Sequence, residues 1–343
     1  MTAALITGVA GETLSEAERA FFKDVRPVGL ILFARNCKSA DQIRALVDEV
    51  RAAAGVESFL VLIDQEGGRV QRLKPPLARI LPPAAAYGTL YRHDQIAGRA
   101  AAFAAARFAA EELRALHINT NCAPVLDMPV PGSHQIIGDR AYGVSVDQIV
   151  DLAREAANGL IAGGVVPVIK HIPGHGRATA DSHFDLPVVE TAHSELVVSD
   201  FAPFKALAHM PAAMTAHVVY TAIDKSAPAS TSEIVTRDVI RDVIGFEGLL
   251  MSDDLSMKAL RGPMRERAES VIRAGSDVAL HCNGDLVEMR AAAEGVPVLK
   301  GIALRRLESA YAVTKRRLAF DVAEAERLLT LAESHHQAGP ESV

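Results

Sequence analysis

Short apolar or β-branched runs recur along this chain, separated by longer stretches in which apolar positions return every three or four residues. The short runs are Ala3 to Thr7, Val28 to Phe33, Phe59 to Ile63, Ile118 to Ala123, Val165 to Lys170, Ala213 to Val218, Leu249 to Ser252 and Val278 to Cys282. Runs of this length with so little polar alternation are the pattern of strands covered on both faces. The stretches between them carry helix-start signals. Ser15-x-x-Glu18 has the spacing of a capping box, Ser39 and Asp41 precede Ile43, Leu46 and Val47, and Thr231 or Ser232 precedes Ile234, Val239, Ile240 and Val243. Further helices are expected over Ile96 to Leu116, Asp147 to Ala162, Ser199 to His209 and Pro263 to Ala274.

Eight strands alternating with helices predict parallel βαβ units, and eight such units can close into a TIM-type (β/α)8 barrel, an α/β fold. The barrel is expected to be a single domain over residues 1–320. An open doubly wound sheet is the alternative, but Gly8-Val9-Ala10-Gly11 lacks the GxGxxG spacing that would follow its first strand. Residues 321–343 read as a C-terminal helix, with Leu328, Leu329 and Leu331, that decays from Ser334 into a fraying tail.

With 49% hydrophobic and 23% charged residues the chain can bury a large core. A formal net charge of -6 provides no basic footprint for nucleic acid and no polycationic arm for a membrane surface, so a small-molecule partner is expected. The apolar start, Met1 to Gly11, has no basic residue ahead of it and no cleavage-site pattern after it, and Ala97 to Ala110 is interrupted by Arg99 and Arg107. Cys37, Cys122 and Cys282 are odd in number and widely spaced. These features predict a cytoplasmic protein, and nothing in them demands more than a monomer.

Polar residues gather where the strands end. Asp64-Gln65-Glu66 follows the third, Asp127 lies beyond the fourth, Lys170-His171 follows the fifth, His217 ends the sixth, Asp253-Asp254 follows the seventh and Asn283 the eighth. The C-terminal rim of a parallel barrel is where its chemistry sits. The densest segment is Lys170-His171-Ile172-Pro173-Gly174-His175-Gly176-Arg177-Ala178-Thr179-Ala180-Asp181-Ser182-His183, with six ionisable side chains around two glycines. Asp181 and His183 share one side of an extended chain, and a carboxylate beside an imidazole orients it and favours its charged form. A carboxylate and an arginine from Asp64 to Arg72 can together hold vicinal hydroxyls. Of the two adjacent aspartates Asp253 and Asp254, one can face a pocket while the other caps the following helix. A metal site on His171, His175, His183 and Asp181 is disfavoured: Pro173 and Gly174 break any helix that would align the histidines, and there is no HExxH. No metal and no cofactor are expected.

Lys170-His171-Ile172-Pro173-Gly174-His175-Gly176 with Asp181-Ser182-His183, joined by Asp64-Gln65-Glu66-Gly67-Gly68-Arg69-Val70-Gln71-Arg72, Gly138-Asp139-Arg140 and Ser252-Asp253-Asp254-Leu255-Ser256-Met257, resembles glycoside hydrolase family 3. More narrowly, it resembles the single-domain bacterial β-N-acetylglucosaminidases, across most of the chain and in the expected order. The resemblance implies a barrel enzyme that removes terminal β-linked N-acetylglucosamine with retention of configuration. It implies Asp253 as the nucleophile, and His183 supported by Asp181 as the acid/base on a mobile loop with Gly174 and Gly176 as its pivots. It further implies Asp64, Arg72, Arg140, Lys170 and His171 as sugar-binding residues, and N-acetylglucosaminyl anhydro-muropeptides of peptidoglycan recycling as substrates. Arg177 departs from the acidic residue that many relatives carry soon after the second loop glycine. Two rival readings are a family 3 β-glucosidase, whose acid/base generally comes from a second domain, and a catalytically silent sugar-binding barrel.

Overall fold

In a computed structural model of the chain, describing residues 1–178 and 186–337, each apolar run contributes a strand to one closed parallel barrel. Around the ring come β1 (Ala3–Thr7), β2 (Pro27–Leu32), β3 (Leu60–Ile63), β4 (Thr120–Asn121), β5 (Val166–Ile172), β6 (Ala212–Thr215), β7 (Leu249–Asp254) and β8 (Val278–His281). β8 closes on β1, with Leu5 opposite Ala279 and Ile6 opposite Leu280. The open-sheet alternative is thereby excluded.

The strands are continuously apolar because both faces are covered. Ile6, Val28, Leu60, Leu62, Val166, Val168, Met251 and Leu280 pack with one another as the barrel's own core. Their neighbours Leu5, Leu30, Val61, Ile63, Ile169 and Leu250 join the larger cluster shared with the helices. β4 is shorter than its run because side-chain amides replace part of its ladder. The Val61 N–H donates to Asn119 Oδ1 at 2.7 Å and the Gln65 N–H to Asn121 Oδ1 at 3.0 Å, and Pro124 beyond them has no N–H to offer.

The helices are α1 (Glu16–Val25), α2 (Ala40–Ala54), α3 (Ala84–His93), α4 (Gln95–Ala115), α5 (Val146–Ala162), α6 (His193–Val198), α7 (Ala202–Ala206), α8 (Met264–Arg273), α9 (Leu286–Glu294), α10 (Gly301–Ala312) and α11 (Val322–Gln337). Ser15 and Glu18 form the reciprocal capping box on α1, Ser39 caps α2, and Ser232 rather than Thr231 caps the π-helical segment Val235–Val243. The helix expected over Ser199 to His209 is a correction. Within that span only α7 is α-helical, and α6 ends just before it, because Ser199 leaves helical geometry and turns its hydroxyl onto Glu195 O, and Pro203 restarts the helix in its first turn. The C-terminal helix continues past Ser334 to Gln337, burying Ala325, Leu328, Leu329 and Ala332.

Candidate active site

Two short additions to the barrel build its C-terminal rim. After β3, Gln65–Gly67 and Val70–Gln71 pair antiparallel, turning on Gly67 and Gly68 with φ of 103° and 55°, values that a side chain would strain. The turn returns Arg72 to Asp64, its Nη2 3.0 Å from Asp64 Oδ2. After β5 the chain passes through Gly174 and Gly176, and beyond residue 185 it re-enters with Val188–Val189 paired in parallel to Val219–Tyr220.

Lys170, at the end of β5 with a side chain only 3% exposed, bridges the two carboxylates that follow β3. Its Nζ lies 2.8 Å from Asp64 Oδ1 and 2.7 Å from Glu66 Oε1. Glu66 in turn takes a two-pronged pair from Arg140, both contacts at 2.9 Å. Burial alone would raise the Asp64 and Glu66 pKa values, but Lys170 with Arg72 or Arg140 holds both below the ordinary carboxylate range. Burial likewise works against charged Lys170, and the two carboxylates overcome it and raise its pKa. The result is a fixed array of three cations, Arg72, Arg140 and Lys170, against Asp64 and Glu66.

On the opposite wall Asp253 and Asp254 divide their work. The Asp254 carboxylate accepts N–H groups of Ser256 and Cys282, both at 3.0 Å, together with the Ser256 hydroxyl, and so ties the turn after β7 to β8. Asp253 accepts the Asp254 N–H at 2.8 Å and lines the cavity. Burial would raise its pKa, but His217, His171, that N–H and Lys170 bring it below the ordinary value. It is therefore ionised at neutral pH, the state a carboxylate nucleophile needs. His217, fully buried two residues beyond β6, is held between the Ser230 hydroxyl at 2.7 Å and the Asp254 carbonyl at 3.0 Å.

A third cluster lies beneath His171. Asp127, with no exposed surface, accepts His171 Nδ1–H at 2.6 Å and the backbone N–H groups of His171 and His175 at 3.1 and 2.7 Å. The His175 ring meets that of His171 edge-on, centroids 5.7 Å apart, and burial followed by the electrostatic influence of nearby His171 pushes its pKa down to about 4.

Asp64, Arg72, Arg140, Lys170, His171 and Asp253 all line one cavity of about 280 Å³, which has Phe33, Ile136, Ile137 and Met257 as apolar wall. Six of the eight residues singled out in the sequence thus converge there. Asp181 and His183 lie outside the described residues. The glycines before them are explained in part by packing: a Cβ on Gly176 would sit 1.9 Å from the Met128 carbonyl oxygen. Arg177 also acquires a role, since its guanidinium reaches buried Asp200 at 2.6 Å and Glu195 at 2.9 Å. Among the described residues no group of three or more His, Cys, Asp or Glu is placed to hold a metal ion. Glu66, Asp127 and His217 were not singled out as site residues, although each follows or ends a strand at the rim, the one signal that marked their neighbours.

Ionised Asp253, facing a cavity whose other groups are donors and acceptors fixed in position, can attack an electrophilic carbon while hydroxyls of the same molecule are held. The family model for the glycosyl hydrolase family 3 N terminal domain matches residues 5–314. A beta-hexosaminidase of Alkalilimnicola ehrlichii is 40% identical over 283 residues, 81% of this chain and 80% of that one. One of Methylococcus capsulatus is 40% identical over 279 residues, 80% of this chain and 81% of that one. Native NagZ of Neisseria gonorrhoeae superimposes with a TM-score of 0.83 at 31% identity, covering 97% of this chain and 96% of that one. The same protein has been solved in complex with N-trifluoroacetyl-D-glucosamine, with a TM-score of 0.83 and coverage of 98% of both chains. Sequence family and barrel agree with the rim chemistry: the chain belongs to glycosyl hydrolase family 3 and is a glycoside hydrolase.

Proposed function

We propose that the protein is a retaining β-N-acetylhexosaminidase that hydrolyses terminal β-linked N-acetylglucosamine, with N-acetylglucosaminyl anhydro-muropeptides as natural substrates in cytoplasmic peptidoglycan recycling. The observation that carries this reading is the convergence of ionised Asp253 with Asp64, Arg72, Arg140, Lys170 and His171 on one cavity. The beta-hexosaminidase relatives and the N-acyl-glucosamine complex of the Neisseria protein support the choice of sugar.

In the first step an Asp253 carboxylate oxygen attacks the anomeric carbon as its bond to the leaving oxygen breaks, and that oxygen takes a proton from the His183 imidazolium. In the second, neutral His183 accepts a proton from water as the water oxygen displaces Asp253 from the anomeric carbon, releasing sugar and restoring carboxylate and imidazolium. Asp181 orients His183 through both steps. Asp64, Arg72, Arg140, Lys170 and His171 hold the sugar hydroxyls and the acetamido group.

The test is mass spectrometry of the protein incubated with a slow fluorinated N-acetylglucosamine-like donor. An adduct on Asp253 is expected, and an adduct elsewhere, or none with a donor that is turned over, defeats the covalent assignment. A protein that binds N-acetylglucosamine but leaves an aryl β-N-acetylglucosaminide uncleaved defeats the reading as a whole.

A further inference from the structure

The buried carboxylate under the sugar-binding wall has a determinate arrangement. Beyond β4 the chain keeps pairing with the end of β5: Val125 bridges Lys170, the Leu126 N–H donates to Lys170 O at 2.7 Å and the Lys170 N–H to Pro124 O at 3.2 Å. That pairing delivers Asp127 under His171. Its two oxygens have different partners. Oδ1 accepts the main-chain N–H groups of His171 and His175, while Oδ2 lies 2.6 Å from His171 Nδ1. Burial would raise the Asp127 pKa, but the His171 ring and its hydrogen bond lead the influences that bring it below the ordinary value, so it is a carboxylate and can only accept. The proton of that short contact therefore sits on Nδ1, and the nitrogen that His171 has left to offer a ligand in the cavity is Nε2.

We infer that Asp127 is a positioning residue for sugar binding: it locks neutral His171 in the Nδ1–H tautomer, so that Nε2 meets a substrate hydroxyl as an acceptor. This rests on the proposed function in taking His171 as a sugar contact. The lock balances the donor-rich side of the cavity, where Arg72, Arg140 and Lys170 offer only N–H groups. The titratable and charged groups around the pair are His175 and Lys170 on the β5 segment, Asp253 on β7, Arg140 and Tyr220, each of which senses His171 or Asp127 or adjoins them.

Asp127→Asn is the discriminating variant. Its amide oxygen must take the place of Oδ1 to keep the two main-chain N–H bonds, which sets the NH2 group against His171 Nδ1. A donor there expels the proton from Nδ1 and moves it to Nε2, turning an acceptor into a donor without changing shape. On an aryl β-N-acetylglucosaminide with a good leaving group, KM is expected to rise roughly 10-fold with kcat changed much less. Spectra of 15N-labelled imidazole should show the His171 proton on Nδ1 in the native protein and on Nε2 in the variant. Unchanged KM, an equal fall in kcat, or a proton that stays on Nδ1 in the variant would each overturn the inference. If the variant does not fold, the native spectrum decides: Nδ1–H, with an Nε2 resonance that moves on adding N-acetylglucosamine, supports the role, and a bare Nδ1 or an unmoved Nε2 ends it. Failure of the native protein to cleave the aryl substrate would count against the proposed function, while the tautomer measurement, which needs no turnover, still judges Asp127.

Discussion

Glu66→Gln tests whether the rim array is held by buried charge. The substitution preserves volume, so no cavity opens, and the change is confined to one negative charge and its acceptor geometry. In the native protein Glu66 is 7% exposed at its side chain, Arg140 11% and Lys170 3%. Their contacts, two at 2.9 Å and one at 2.7 Å, are therefore shielded from water on both sides. Removing the charge leaves Asp64 alone against Arg72, Arg140 and Lys170 and sets an amide NH2 against donors. Breaking one partner out of a buried pair costs about 3–5 kcal/mol, several times the ~0–1 kcal/mol of an exposed pair. That loss should lower Tm by roughly 4–7 °C for a chain of this size.

The dependence on pH has a definite sign. The Glu66 pKa is depressed in the folded protein, so its contribution is present above the unfolded carboxylate pKa and is lost as pH falls through the lower folded value. Thermal melts and urea titrations of both proteins should show the gap widest near neutral pH and closing on acidification. A gap under about 1 kcal/mol at pH 7, or one independent of pH, would refute the claim that this array is a buried, mutually charged unit.

Asp253→Ala should abolish turnover of an aryl β-N-acetylglucosaminide while leaving Tm and N-acetylglucosamine binding nearly unchanged; native-like rates would remove Asp253 from the nucleophile's role. His183→Ala should slow release of the glycosyl-enzyme and spare glycosylation on substrates with good leaving groups, so an equal loss across a series of leaving groups would contradict an acid/base role. Gly176→Ala should destabilise by about 1–3 kcal/mol, because its Cβ would stand 1.9 Å from Met128 O and either that backbone or the start of the loop must move. A melt within a degree of the native value would show that the loop yields without strain.

The barrel was legible because a strand covered on both faces has to be apolar throughout. The runs at Leu249 to Ser252 and Val278 to Cys282 therefore stood out against amphipathic helices whose caps, Ser15 and Ser39, were also visible. Where local pattern was weak, the reading slipped. Ser199 leaves helical geometry and Pro203 sits in the first turn of α7, so the helix that apolar spacing alone suited over Ser199 to His209 is confined to Ala202–Ala206. Site residues were found where a polar side chain broke sharply from an apolar run, as at Asp64, Lys170 and Asp253. Asp127 was marked only as a polar residue beyond the fourth run, with no role, because pairing of Pro124 and Leu126 with β5 is what carries it to His171.

By itself the sequence determined the fold class, the family and the set of groups at the rim, because periodicity and motif are properties of neighbours along the chain. Which carboxylate meets which cation was decided only in three dimensions. Lys170 is 106 residues from Asp64, and Arg140 is 74 from Glu66, yet each pair lies in contact. Charge state and tautomer, the properties on which the chemistry turns, depend on burial and on the second partner of each group, and barrel closure supplies both.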